Sequence, residues 1–305
     1  MTVDRLLVGL KQRDPRAIGR AISLVENGDA SAEAILSSLD ENLVSGATVL
    51  GITGPPGAGK STLTNGIIAS LRQKNERIGI IAIDPTSPIS GGAILGDRIR
   101  MMQHATDKDV VMRSMATRGR LGGLCATAGA VVRIMAGCGC STIIIETVGV
   151  GQSEMDIIRL ADITLLVLAP GLGDDIQAMK AGLLEVADLL VVNKADCAGA
   201  ETLAMDLEAV TRKGLANPTQ VCMTVATEGK GVAELLERIS NVDNEHRDSG
   251  VREKRRRLAH DQEVLEWCLE ILRPKLLSDI NKRKLSILGD PRLKAKKILE
   301  EQLET

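Results

Sequence analysis

Residues 54 to 62 read Gly-Pro-Pro-Gly-Ala-Gly-Lys-Ser-Thr, a stretch with the composition of a phosphate-binding loop. It matches G-x-x-x-x-G-K-[ST], follows the apolar run Thr48–Thr53 and precedes a helical segment over Leu63–Lys74, which is the strand, loop and helix context the pattern requires. Glycines let backbone N–H groups close around phosphate oxygens at a helix N-terminus, where the peptide dipoles favour an anion. In such a loop Lys60 reaches the β- and γ-phosphates and the Ser61 hydroxyl binds Mg²⁺. Gly54, Pro55, Pro56, Gly57, Ala58, Gly59, Lys60, Ser61 and Thr62 are therefore candidate nucleotide-binding residues, and Lys60 is also a catalytic candidate.

On either side of this loop, short apolar runs alternate with helical segments. The runs are Thr48–Thr53, Ile78–Ile83, Val110–Met112, Thr142–Glu146, Thr164–Leu168, Leu189–Val192 and Val221–Val225. Continuous apolar runs separated by helices predict a mostly parallel sheet covered on both faces, an α/β fold of the P-loop NTPase class. Before it, apolar residues at helical spacing from Asp4 to about Leu43, broken at Asn27-Gly28-Asp29, predict a helical segment over residues 1–45. The nucleotide domain is expected over 46–248, and the charged helical character from Ser249 onward marks a third segment, 249–305.

The composition bounds the function. With 305 residues and 44% hydrophobic content the chain is long enough for one large domain with additions. Lys plus Arg is 38 against Asp plus Glu 40, so nothing in the net charge of −2 points to nucleic acid or an anionic membrane. The sequence after Met1 has no apolar signal region, and no apolar stretch approaches the roughly 18 to 20 residues of a membrane span. The expected location is the cytoplasm, or a matrix after removal of a presequence. Six cysteines without a paired framework are expected to be reduced thiols. Phe and Tyr are absent and Trp267 is the single Trp, so the core must be built from Ile, Leu, Val, Met and Ala.

A second motif chooses the base. Asn193-Lys194-Ala195-Asp196 ends the run Leu189–Val192, and a carboxylate at Asp196 accepts from two adjacent donors on guanine, where adenine presents an acceptor. Thr224-Val225-Ala226, after another strand and before Gly229-Lys230-Gly231, falls where the backbone of such proteins touches the guanine oxygen. Asn193, Lys194, Asp196, Thr224, Val225 and Ala226 complete the candidate nucleotide set, and GTP/GDP is the expected ligand.

Long strings beyond these motifs carry a resemblance that covers nearly the whole chain. They are RAISLVEN (20–27), GPPGAGKST (54–62), DPTSPISGGAILGDRIRM (84–101), RSMATRG (113–119), ETVGVGQSE (146–154), PGLGDDIQAMKAG (170–182) and NKAD (193–196). The sequence resembles the MeaB/ArgK/MMAA family of SIMIBI-type P-loop GTPases, chaperones of methylmalonyl-CoA mutase and related adenosylcobalamin-dependent mutases. The resemblance implies GTP hydrolysis, a mutase partner together with its adenosyltransferase, and a homodimer formed through the C-terminal helices. It also implies that Asp84, Asp97 and Glu146 are the acidic set around the metal, with Ser61. Glu146, at the end of a strand beside the phosphate loop, suits that role on its own chemistry. Asp84 alone also reads as a turn cap before Pro85.

Glycines in residues 149–154 would let that loop move with the γ-phosphate. Within it, Gln152 is suited either to orienting water or to a structural hydrogen bond. In the family the segment 170–180 resembles a further switch, with Gln177 and Lys180 approaching the nucleotide; Asp174–Glu185 also reads as an ordinary capped helix. Ile89 stands where an aromatic residue is expected. Absence of a D-x-H-x-x-G signature assigns cobalamin to the partner.

The runner-up reading is a nickel or cobalt metallochaperone GTPase, prompted by Cys138-Gly-Cys140, for which the three unclustered histidines give no support; a helix-end packing pair is the favoured reading of the two thiols. The run Arg252-Glu-Lys-Arg-Arg-Arg257 reads as a solvated helix face rather than an anion-binding patch. Leu258, Val264, Leu265, Cys268, Leu269, Leu272 and Leu276 form an apolar stripe that needs a partner surface.

Overall fold

Every expected apolar run forms a strand, and the seven pair side by side in the order β3-β2-β4-β1-β5-β6-β7. The strands are β1 Thr48–Thr53, β2 Ile78–Asp84, β3 Val110–Ala116, β4 Thr142–Thr147, β5 Ile163–Leu168, β6 Leu189–Asn193 and β7 Gln220–Thr224. All six pairings are parallel. The structure, a computed structural model, describes residues 2–84, 104, 106–116, 123–147, 158–172, 183–214, 219–283 and 290–303, with the side chains of 84, 116, 123–126, 212–214, 302 and 303 not among them. Strands β5 and β6 are buried along their whole length, whereas edge strand β7 alternates exposed and buried positions. Helix-covered parallel strands must be apolar on both faces, and only the edge escapes that demand.

The helices are α1 Val3–Lys11, α2 Pro15–Glu26, α3 Ala32–Ser37, α4 Glu41–Gly46, α5 Lys60–Gln73, α6 Gly123–Gly137, α7 Leu183–Val186, α8 Ala200–Gly214, α9 Val232–Asp248, α10 Val251–Arg283 and α11 Pro291–Leu303. Helices α5 and α9 cover one sheet face, burying Leu63, Ile67, Ile68, Leu235 and Ile239 against Leu50, Ile52 and Leu165. Helix α6 lies on the other face against Ile81, Ile83, Ile143 and Ile145. Its outer side is in turn covered by α2, α4 and α10. That double covering is why the segment GLCATAGAVVRIMAG carries a single charge: a helix between two layers has no solvent face to make polar.

The N-terminal segment has two breaks more than its periodicity suggested, at 12–14 and at 38–40. Residues 12–14 interrupt it with Arg13 at φ 60°, and Asp14 caps α2 by accepting from Arg16 N at 3.1 Å with Pro15 at the first helical position. Cys138 and Cys140 close α6, with Gly139 between them at φ 89°. Both thiols are buried in the α6-side core, and burial pushes them up to about 11 and about 12, so they stay protonated at neutral pH.

Helix α10 corrects one reading and sharpens another. The basic run is only partly a solvated face: Glu253, Lys254 and Arg257 are exposed, but Arg252 is 5% exposed and Arg255 and Arg256 are two-thirds buried, these three inserted at the N-terminal end of the sheet. The physical reason is a matching set of carboxylates, Asp162, Asp188 and Asp243, which the chain brings there from distant positions. The apolar stripe faces outward instead, with Leu258 61%, Leu265 51% and Leu269 56% exposed. The face of α10 that meets α6 is charged, Glu263 pairing with Arg133 at 2.6 and 2.7 Å above Gly129, where a side chain would collide with that carboxylate.

Candidate nucleotide and metal site

Strand β1 ends at the centre of the sheet and delivers the loop 54–59 to its C-terminal edge, from which α5 departs at Lys60. Two glycines there are required by close approach. Gly54 has φ 143°, and a Cβ would lie 2.0 Å from the Val167 carbonyl oxygen of β5; at Gly59, φ 89°, it would lie 2.2 Å from Asn193 Nδ2. The loop is thus pressed onto β5 and β6 from beneath, while Pro56 and Gly57 at its crest are exposed. Lys60 curls back over the loop, its ammonium donating to the Gly54 and Pro55 carbonyls at 2.6 and 3.1 Å. Thr62 is exposed in the first turn of α5 and Ala58 is buried.

Ser61 and Glu146 meet at the foot of the phosphate loop. The Ser61 hydroxyl donates to Glu146 Oε1 at 2.5 Å, and Glu146 is fully buried on β4. A hydroxyl and a carboxylate at the foot of a phosphate loop are hard oxygen donors of the kind Mg²⁺ takes alongside substrate phosphates. Glycine-lined loop, cation and donor pair together fit a nucleotide with its metal. The register aligns Ala82 of β2 with Glu146, so Asp84 lies two residues further along at the same edge, its side chain outside the described residues. Asp97, Gln152, Gln177 and Lys180, and Ile89 with them, lie outside the described residues altogether.

Asn193 ends β6 and is 2% exposed. Its amide donates to the Ala58 carbonyl at 2.9 Å, and its oxygen accepts from Thr224 Oγ1 and Ala226 N, each at 3.1 Å. The sequence reading places Asn193 among nucleotide contacts; in the structure both ends of its amide join the phosphate loop to the loop after β7. That positioning role is not visible from the motif alone, because Ala58 is 135 residues away. Lys194 follows at φ 57°, an uncommon conformation for a residue with a side chain, and Ala195 N donates to Thr224 O at 3.0 Å. The turn leaves Asp196 exposed, and among the described residues its carboxylate makes no hydrogen bond. An open carboxylate is free to accept from two adjacent donors of a ligand. Val225 N donates to Lys230 O at 3.0 Å, closing the loop that carries Ala226.

Comparison with known proteins places the chain in one family. The family model described as "Methylmalonyl Co-A mutase-associated GTPase MeaB" matches residues 18–283. A protein of Pyrococcus horikoshii named as a GTPase is 45% identical over 285 residues, 92% of this chain and 90% of that one. The mouse methylmalonic aciduria type A homolog, mitochondrial, is 31% identical over 287 residues, 88% of this chain and 69% of its own length. Among solved structures, one described as LAO/AO transport system kinase superposes with a TM-score of 0.71, covering 100% of this chain and 98% of that one; its 23% identity speaks to the fold. A phosphate loop braced by the end of β6, in a chain that the family model matches over most of its length, identifies this protein as a GTPase of the MeaB family.

Proposed function

We propose that this GTPase attends an adenosylcobalamin-dependent acyl-CoA mutase of the methylmalonyl-CoA type, its nucleotide state governing loading and protection of the mutase's cofactor, with the mutase's adenosyltransferase as a further partner. The observation that carries the reading is the family match across residues 18–283, whose description names a mutase-associated GTPase. The mouse relative's name, which refers to methylmalonic aciduria, supports it. The sequence holds no cobalamin signature of its own, consistent with a cofactor held by the partner. The metallochaperone alternative loses support from the two CGC thiols, which are buried and protonated rather than open thiolates.

On this reading Mg²⁺ is held by Ser61 and Glu146, with Asp84 and Asp97 completing its surroundings. Gln152, Gln177 and Lys180 act from the loops that sense the γ-phosphate. Residues 1–45 form a helical preface, 46–248 the GTPase domain and 249–305 an arm. Support for a homodimer comes from α10, whose outward apolar face suits a second copy of the same helix.

Lys180 supplies the test. Mutase should accelerate GTP hydrolysis, and Lys180→Ala should lower basal hydrolysis only a few-fold while removing most of that acceleration, since a cation supplied to the transition state is worth roughly a thousand-fold. Equal losses with and without mutase would make Lys180 a fixed catalytic group. No acceleration by any acyl-CoA mutase would count against the partner itself.

A further inference from the structure

The arginines of α10 hold the sheet at the end opposite the nucleotide, and they hold the strands that carry its loops. Arg256 grips Asp162, the residue before β5, through Nε and Nη2 at 2.7 Å each, and also donates to the carbonyls of Ser45 and Ala47 at 2.9 and 2.6 Å, just ahead of β1. Arg252 reaches the same two carbonyls and Asp243 of α9. Arg255 takes both oxygens of Asp188, the residue before β6, at 2.8 Å, and the Asp162 carbonyl at 2.9 Å. The two aspartates do equivalent work, Asp162 accepting from Val49 N of β1 and Asp188 from Thr164 N of β5, each at 2.8 Å. Followed to their other ends, β1 runs into the phosphate loop, β5 into Pro170 and β6 into Asn193-Lys-Ala-Asp196.

We propose that Arg252, Arg255 and Arg256 are positioning residues for the nucleotide site: they set the relative placement of β1, β5 and β6, and through these strands nucleotide state and the α10 arm bias one another. Buried strands of five or six residues are close-packed and shift as units, so displacement at one end reaches the other. Coupling of this kind is reciprocal, and an arm that moves the loops must itself respond to what the loops bind. The inference rests on the guanine-nucleotide reading of the site and not on the identity of the partner.

Trp267, half-buried on α10 and the chain's single Trp, reports on the arm without interference from Tyr. Its emission is to be recorded on the full chain at one fixed concentration, saturated with GDP or with a non-hydrolysable GTP analogue, with nucleotide binding measured in parallel by equilibrium dialysis. The expected result is a difference between the two states that is lost in Arg255→Gln while both nucleotides still bind. Asp188→Asn, which removes the partner charge yet keeps an acceptor for Thr164 N, should lose it too, and Arg255→Lys should recover part. The double variant should add nothing to either single one. Identical emission in the two states of the unaltered chain, or a difference undiminished in both variants, overturns the proposal while leaving the site reading intact. Failure of the unaltered chain to bind either nucleotide removes both.

Discussion

Lys60→Ala is expected to lower GTP hydrolysis by about a thousand-fold, the scale seen when one preorganised donor is withdrawn from developing transition-state charge. The ammonium is held by the Gly54 and Pro55 carbonyls, 2.6 and 3.1 Å away, so it sits within the loop that would enclose the phosphates. Exchange of those two carbonyl contacts for the terminal phosphates requires no change in the core. Loss of the same two contacts in the variant should cost stability only about 1 to 2 kcal/mol, because Pro56 and Gly57 leave the crest of the loop open to water. A thermal melt shifted by a few degrees beside an abolished rate separates chemistry from folding. Hydrolysis at the parent rate would remove the phosphate-loop assignment.

Asp196→Asn should weaken GTP binding by about a hundred-fold and improve binding of xanthosine triphosphate, reversing the order of preference. The carboxylate is exposed and, among the described residues, makes no hydrogen bond, so its replacement should leave the fold in place. Its replacement presents an amide donor where guanine also donates, and xanthine offers a carbonyl in that place. Competition binding with the two triphosphates measures the reversal directly. An unchanged preference for GTP would show that Asp196 does not read the base, and would shift attention to the Ala226 backbone held by Asn193.

The strands were legible because each is a continuous apolar run, and burial on both faces forces that pattern on a parallel sheet; β7, at the edge, shows how the demand relaxes. Motif spacing likewise anticipated that Lys60 and Ser61 open a helix directly after a strand and that Asp196 lies just past a strand end, since backbone conformation is local there. The two things missed share one cause. Asn193 bridges to Ala58 and Ala226, and the α10 arginines pair with Asp162 and Asp188, 94 and 67 residues away for Arg256 and Arg255. A basic run on a helix looks the same in sequence whether it meets water or a carboxylate delivered by the fold. The signal that was available is positional: an aspartate immediately before a buried strand offers its carboxylate to the neighbouring strand's amide, and a charge so buried must find a cation. The outward turn of the α10 stripe followed from the same fact, because arginines committed inward leave the leucines facing out.

The decisive measurement is affinity for a purified methylmalonyl-CoA mutase, taken on the full chain with GDP, with a non-hydrolysable GTP analogue and without nucleotide. The three dissociation constants are expected to differ, with GDP and the GTP analogue at least about five-fold apart, as a coupling free energy of roughly 1 kcal/mol or more demands. Three equal constants, or no binding in any state, would contradict it.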